Sequence, residues 1–204
     1  MVSSCYPVIA ERIDGCRDVI IDLETRLTAV KALGPESGGD GEHDKAELLE
    51  QILAELGVTE ITRYDSPDER VSTGSRPNLV ARIPGEDRSR TVWLMSHMDV
   101  VPVGDLKNWT SDPWTVRVDG GKLYGRGVED NQQGMTASLL LARALGEAGL
   151  TPPCDLGLLL VADEETGNKL GIEWLLDNHD IFGPDDIIIV PDGGEPDGAM
   201  IEVA

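Results

Sequence analysis

Two short segments constrain this chain more than anything else in it. Residues 91–96 (TVWLMS) and 156–161 (LGLLLV) read as strands with no polar face. A strand of that kind sits in the middle of a sheet that is covered on both sides. Residues 187–190 (IIIV) read as a third buried strand. Between these runs lie stretches with helical periodicity, so strands alternate with helices. The expectation is an α/β fold, a three-layer αβα sandwich with a mixed, mostly parallel sheet.

The remaining elements fill in around that sheet. Val8, Ile9, Ile13, Cys16, Ile20, Leu23, Leu27 and Val30 recur at helical spacing, which predicts one amphipathic helix over residues 7–33 with a weak point at Gly15. A second helix is predicted over 43–56, ended by Gly57, with others over 131–148 and 170–178. Strands are predicted at 61–64 and 78–83, and a hairpin at 115–118 and 122–124 turns on Asp119-Gly120-Gly121.

Thirty-eight acids against 17 bases leave a formal charge of -21, which disfavours nucleic acid and anionic membrane surfaces as partners. Cys5, Cys16 and Cys154 are odd in number and lack CxxC spacing, so a disulfide framework or a zinc ribbon is not expected. Idle thiols suit a reducing compartment. With no basic-then-apolar leader and no long apolar run, a cytoplasmic location is the default expectation.

Chemistry concentrates where the strands end. His97-Met98-Asp99 follows the first central strand, Asp163-Glu164-Glu165 the second, and Pro191-Asp192 the third. Asp130 stands just before a predicted helix. Ligand sites in open α/β sheets collect beyond the carboxyl ends of strands. Any one of these residues alone reads as a cap, a turn or a solvated face. Four segments aim acids and one imidazole at the same rim, and four structural explanations would have to coincide to account for it.

The motifs are specific. Ser96-His97-Met98-Asp99-Val100-Val101-Pro102, Tyr124-Gly125-Arg126-Gly127-Val128-Glu129-Asp130 and Asp163-Glu164-Glu165-Thr166-Gly167 resemble, in order, the signature blocks of one metallopeptidase family. That family includes acetylornithine deacetylase, succinyl-diaminopimelate desuccinylase, carboxypeptidase G and the carnosine-type dipeptidases. Trp109-Thr110-Ser111-Asp112-Pro113-Trp114 resembles its tryptophan-rich link, and the resemblance runs from about Arg12 to Ala204.

The resemblance implies roles. His97 would ligate a first metal, with Asp99 behind it accepting the second ring N–H. Asp130 would bridge two divalent ions, zinc first among them, with cobalt or manganese also compatible. Glu165 would ligate the second metal, Glu164 would act as general base, and Asp192 would complete the first set. A cis peptide at Asp130–Asn131 is implied as well. Two positions depart from the family pattern: Gln132 or Gln133 stands where many members have Lys, and Asp192 stands where many deacylases have Glu. Glu195, inside Gly194-Glu195-Pro196, is the alternative ligand, with Asp192 favoured because it lies closer to the strand end.

The implied activity is amide hydrolysis on small substrates carrying a free carboxylate, such as N-acyl amino acids or dipeptides. Two other readings stay open: a non-catalytic chain that binds metal or a partner, and an aminopeptidase of a related zinc family. Residues 1–204 are expected to be the N-terminal part of a catalytic domain. A lid domain that also dimerises the protein, and a C-terminal segment bearing a further histidine ligand, would then lie outside this chain. Such a fragment is expected to be inactive alone, and residues 200–204 read as the start of a strand.

Overall fold

All eight residues of β6 (Cys154–Val161) are buried, as its run of aliphatic side chains on both faces demands. The computed structural model describes residues 5–193. Within them β6 lies at the centre of a five-stranded sheet of order β1-β2-β6-β3-β7. Here β1 is Glu60–Pro67, β2 Ser75–Ile83, β3 Asp87–His97 and β7 Ile187–Ile189. A separate hairpin joins β4 (Arg117–Asp119) to β5 (Lys122–Tyr124).

The sheet is mixed, as expected, but parallel pairings do not predominate among the described residues. β3 pairs parallel with β6 and with β7, whereas β2 pairs antiparallel with β1 and with β6. A short connection forces the first of these antiparallel pairs: Asp68 N–H bonds the Gly74 carbonyl at 2.9 Å and closes a hairpin. The parallel β3–β6 pair instead needs a crossover, and α4 (Gln133–Ala148) supplies it.

Strand alternation divides the core between two faces. Leu79 and Ala81 of β2 and Leu158 and Leu160 of β6 point to one face. There they meet Leu23 and Leu27 of α2 (Arg17–Ala29), Leu49, Ile52 and Leu53 of α3 (His43–Glu55), and Met135 and Leu139 of α4. Val80, Leu159 and Val161 point to the other, with Trp93, Ile181 and Leu175 of α5 (Ile172–Asn178). Three layers result, a thick helical one and a thin one about the sheet.

Three expectations need correction. The long first helix, expected to carry Cys5 and Cys16 as packing residues near its start, is two, α1 (Tyr6–Asp14) and α2, separated at Gly15 and Cys16; Cys16 is buried but Cys5 is exposed. Residues 187–190 are not a buried strand. β7 is an edge, and Ile187, Ile188, Ile189 and Val190 are each 45–49 % exposed. Hydrophobicity alone cannot tell a central strand from one that is an edge among the described residues. The expectations at Glu195 and at residues 200–204 also fall outside the described residues.

No described helix is long and apolar enough to cross a membrane. The peptide between Asp130 and Asn131 is cis.

Candidate metal centre

β3 and β6 run parallel and in register, His97 opposite Val161, so they end together. Met98 N–H bonds the Val161 carbonyl at 2.8 Å and carries the pairing one step past the strand. That step places His97 and Asp99, 3 % and 1 % exposed, beside Asp163, Glu164 and Glu165.

Asp130 arrives from a different direction. Gly127 turns the chain at φ 82°, and a side chain there would strike Gln132 and Val100. The next residues form an irregular turn, Val128–Gln132, that presents Asp130 just ahead of α4. Asp192 follows β7. It is held at the site because Asn131 Nδ2 donates to the Pro191 carbonyl at 3.1 Å and because Gly134 has no Cβ to block that carbonyl.

These placements converge on the His97 ring. Nε2 lies 2.9 Å from Asp130 Oδ1, 3.6 Å from Asp192 Oδ2 and 3.9 Å from Glu164 Oε2. One ligand atom from each of His97, Asp130 and Asp192 falls within 4.8 Å of the other two, a spacing that can hold one cation. Glu164 and Glu165 border this group without belonging to it.

The orientation of the ring differs in detail from the expectation. His97 Nδ1 is nearest the backbone carbonyl of Asp99, at 3.0 Å, with the Asp99 carboxylate at 3.4 Å. A carbonyl can only accept, so Nδ1 carries the proton and Nε2 faces the ligand cluster. The Asp99 side chain has shorter contacts elsewhere: its two oxygens accept the backbone N–H groups of Glu164 and Glu165 at 3.1 Å each. Asp99 therefore buttresses the ring and also caps the turn that carries the two glutamates.

The electrostatics match a site short of positive charge. Burial would lower the His97 pKa, but Asp99, Asp192 and Glu164 outweigh it and raise the imidazole to about 9. Burial, then the Asp130 charge, raises Glu165 to about 7. Glu164 is raised too, first by burial, with His97 opposing and Asp192 adding to it. Glu165 Oε1 and Asn131 Oδ1 are buried with no hydrogen-bond partner among the described residues. Buried acceptors left open, carboxylates raised in pKa and one imidazole make a donor set that fits a divalent cation.

The six residues singled out from the sequence lie around the His97 ring, but the sequence did not point to what stands behind them. Glu42, Arg76 and Asp163 are buried and mutually bonded, as described below. Their separation of 34 to 121 positions leaves no local signal. Arg126, read as a possible partner for an acid, instead donates to the Pro102 carbonyl at 3.2 Å and lies over the Trp109 ring. Trp109 and Trp114 are half-buried, the former donating to the Val103 carbonyl at 2.8 Å. The His179 ring lies tilted against Tyr64 and edge-on to Trp174.

Comparison with known proteins agrees with the geometry. Residues 93–203 match the model of peptidase family M20/M25/M40. An uncharacterized metallohydrolase of Methanococcus maripaludis is 39% identical over 196 residues, covering 92% of this chain and 46% of its own length. A succinyl-diaminopimelate desuccinylase of Cereibacter sphaeroides is 35% identical over 158 residues, covering 77% of this chain and 38% of its own. Human carnosine dipeptidase 1 superposes with a TM-score of 0.73 at 23% identity, over 92% of this chain and 41% of that one. An M20 family metallo-carboxypeptidase of Sulfolobus solfataricus gives a TM-score of 0.68 at 20% identity, over 88% of this chain and 38% of that one. The fold is that of these peptidases, and the chain belongs to peptidase family M20/M25/M40. It spans about half the length of the curated relatives it matches.

Proposed function

We propose that the intact protein hydrolyses amide bonds in small substrates bearing a free carboxylate, N-acyl amino acids or dipeptides, with Glu164 as general base. The observation that carries this reading is the division of carboxylates at the rim. Asp130 and Asp192 share a ligand cluster with His97, while Glu164 stands 3.9 Å from the ring, outside that cluster but facing it. A module that only binds metal has no use for a free carboxylate at that distance.

His97, Asp130 and Asp192 would hold one divalent ion, and Asp130 with Glu165 would contribute to a second. Bound ions would polarise the scissile carbonyl and acidify water at the site. Glu164 would take a proton from the attacking water at its carboxylate oxygen and later deliver it to the leaving amine. Its raised pKa suits both steps, because a base poised nearer neutrality also returns the proton readily. Asp99 would hold Glu164 and Glu165 through their backbone N–H groups, fixing base and ligand relative to the ring.

The relatives' names favour the substrate class: a desuccinylase cleaves an N-acyl group and a dipeptidase a peptide bond. The test is the full-length protein loaded with zinc, cobalt or manganese and assayed on N-succinyl and N-acetyl amino acids and on dipeptides. Metal-dependent release of a free amine is expected. Tight metal binding with no hydrolysis across that panel would overturn the proposal in favour of a non-catalytic metal-binding role.

A further inference from the structure

Arg76 belongs to no ligand cluster, yet its side chain on β2 is fully buried. Its Nε donates to Glu42 Oε2 at 2.5 Å and its Nη2 to Glu42 Oε1, a bidentate pair with both partners out of water. Its Nη1 lies 3.6 Å from Asp163 Oδ1 and 3.7 Å from Asp68 Oδ2. One guanidinium thus faces three carboxylates, gripping Glu42 directly and lying near the other two. A buried charge set of this kind costs desolvation, and it is strongly disrupted when one partner is removed.

The cluster leads directly to the catalytic rim. Glu42 Oε1, held by Arg76, accepts the backbone N–H of Asp163 at 3.2 Å. Asp163 adopts φ 64° and ψ 19°, a left-handed conformation uncommon for a residue with a side chain. Its carboxylate accepts the Thr166 hydroxyl on one oxygen and Leu170 N–H at 3.0 Å on the other, and its carbonyl accepts Asn168 N–H at 2.7 Å. Asp163 is therefore the hub of the turn on which Glu164 and Glu165 sit. Asp99 fixes that turn from the ring side, and the Glu42–Arg76 pair fixes it from beneath.

We propose that Arg76, acting through Glu42 and Asp163, is a positioning residue that sets the aim of the Glu164–Glu165 pair. The inference rests on the reading of Glu164 as base and Glu165 as ligand. Lysine at position 76 would keep the charge but lose the planar fork that grips Glu42. Asp163 would then be free to leave its left-handed conformation, and the two glutamates would move with it.

The test uses the full-length protein, wild type and Arg76→Lys, with cobalt as the metal probe. A displacement on the order of 1 Å at a reacting group can cost about 100-fold. The expected result is a fall in kcat of about 10- to 100-fold with little change in KM, retained metal and an altered visible spectrum of the cobalt form. If Arg76→Lys does not fold, Thr166→Val carries the test. Thr166 is exposed, and its loss removes a single bond to Asp163, so a severalfold fall in kcat with a smaller spectral change is expected. Wild-type kcat and an unchanged cobalt spectrum in the folded variants would overturn the inference. Wild-type protein that binds cobalt without hydrolysing any substrate would overturn the functional reading instead, and the spectrum would still report on the turn.

Discussion

Two groups of carboxylates lie back to back at the ends of β3 and β6, and their company differs. Behind the rim, Glu42, Asp68 and Asp163 each face Arg76, and Arg70 adds a second guanidinium to Asp68. At the rim, Asp99, Asp130, Glu164 and Asp192 have the His97 imidazole as their one ion-pair partner among the described residues, Glu165 has none, and buried Lys45 and Arg76 attract Asp99 from farther off. The first group is paired with guanidinium groups, two against its three carboxylates. The second is not: Glu165 is raised to about 7 and keeps a buried oxygen without a partner. Uncompensated buried carboxylates are costly and persist where a cation or a reaction employs them. The comparison teaches that acidity alone does not mark the site in so acidic a chain. The mark is acidity without an internal counter-charge.

The sharpest way to break this contrast is within the Glu-Glu pair. Glu164→Gln in the intact protein should lower kcat by about 10²- to 10⁴-fold, the usual span for a general base, with bound metal nearly unchanged. Kinetics alongside elemental analysis checks it. Glu165→Gln should show the complementary pattern, losing metal on dialysis against a mild chelator. A reversed pair of results would exchange the two roles.

A second prediction concerns the lone imidazole. The folded pKa of His97, about 9, lies above its ordinary 6.5, so the protonated ring stabilises the metal-free fold. That contribution is fully present below pH 6.5 and is lost as pH rises through 9, amounting to about 3 kcal/mol at 1.36 kcal/mol per unit. Chemical denaturation of metal-free protein between pH 6 and 9.5 should show the decline, and His97→Asn should flatten it. An equally steep decline in the variant would assign the effect to another group.

Glu24, away from the rim, tests the contrast, since it too keeps a buried oxygen, Oε2, without a partner among the described residues. It is buried on α2 and accepts the Thr136 hydroxyl at 2.8 Å, and Lys45 is its nearby cation, yet burial still raises it to about 7. Lys45 itself is lowered to about 8, first by burial, with Asp99, Glu24 and Glu42 opposing. Because the folded pKa of Glu24 exceeds the ordinary 4.5, its ionisation costs stability progressively between pH 4.5 and 7. Glu24→Gln should therefore be more stable than wild type at pH 8, by about 1–2 kcal/mol once part of Lys45's compensation is lost, with the difference vanishing near pH 4. A variant less stable at pH 8 would show that Lys45 depends on Glu24 for its charge.

Much of this was legible in the residues. The central strands at 91–96 and 156–161 lie where their two-sided apolarity placed them, within β3 and β6. Gly57 ends α3 with a left-handed residue. The rim residues could be read because a strand's end is a local event: apolar alternation stops and acids begin. The even split of the sheet, the exposure of β7 and the break at Gly15 could not, because each depends on what packs alongside.

The sequence by itself determined the layered class and the family, and it marked the acids and the histidine that follow the central strands, since these follow from runs of neighbours along the chain. Only the tertiary structure decided that Asp99 caps the glutamate turn as well as backing the ring, and that Arg76 and Glu42 underlie Asp163. Those contacts join residues from separate elements, and a buried charge finds its partner by proximity in three dimensions, with no periodicity in the chain to announce it.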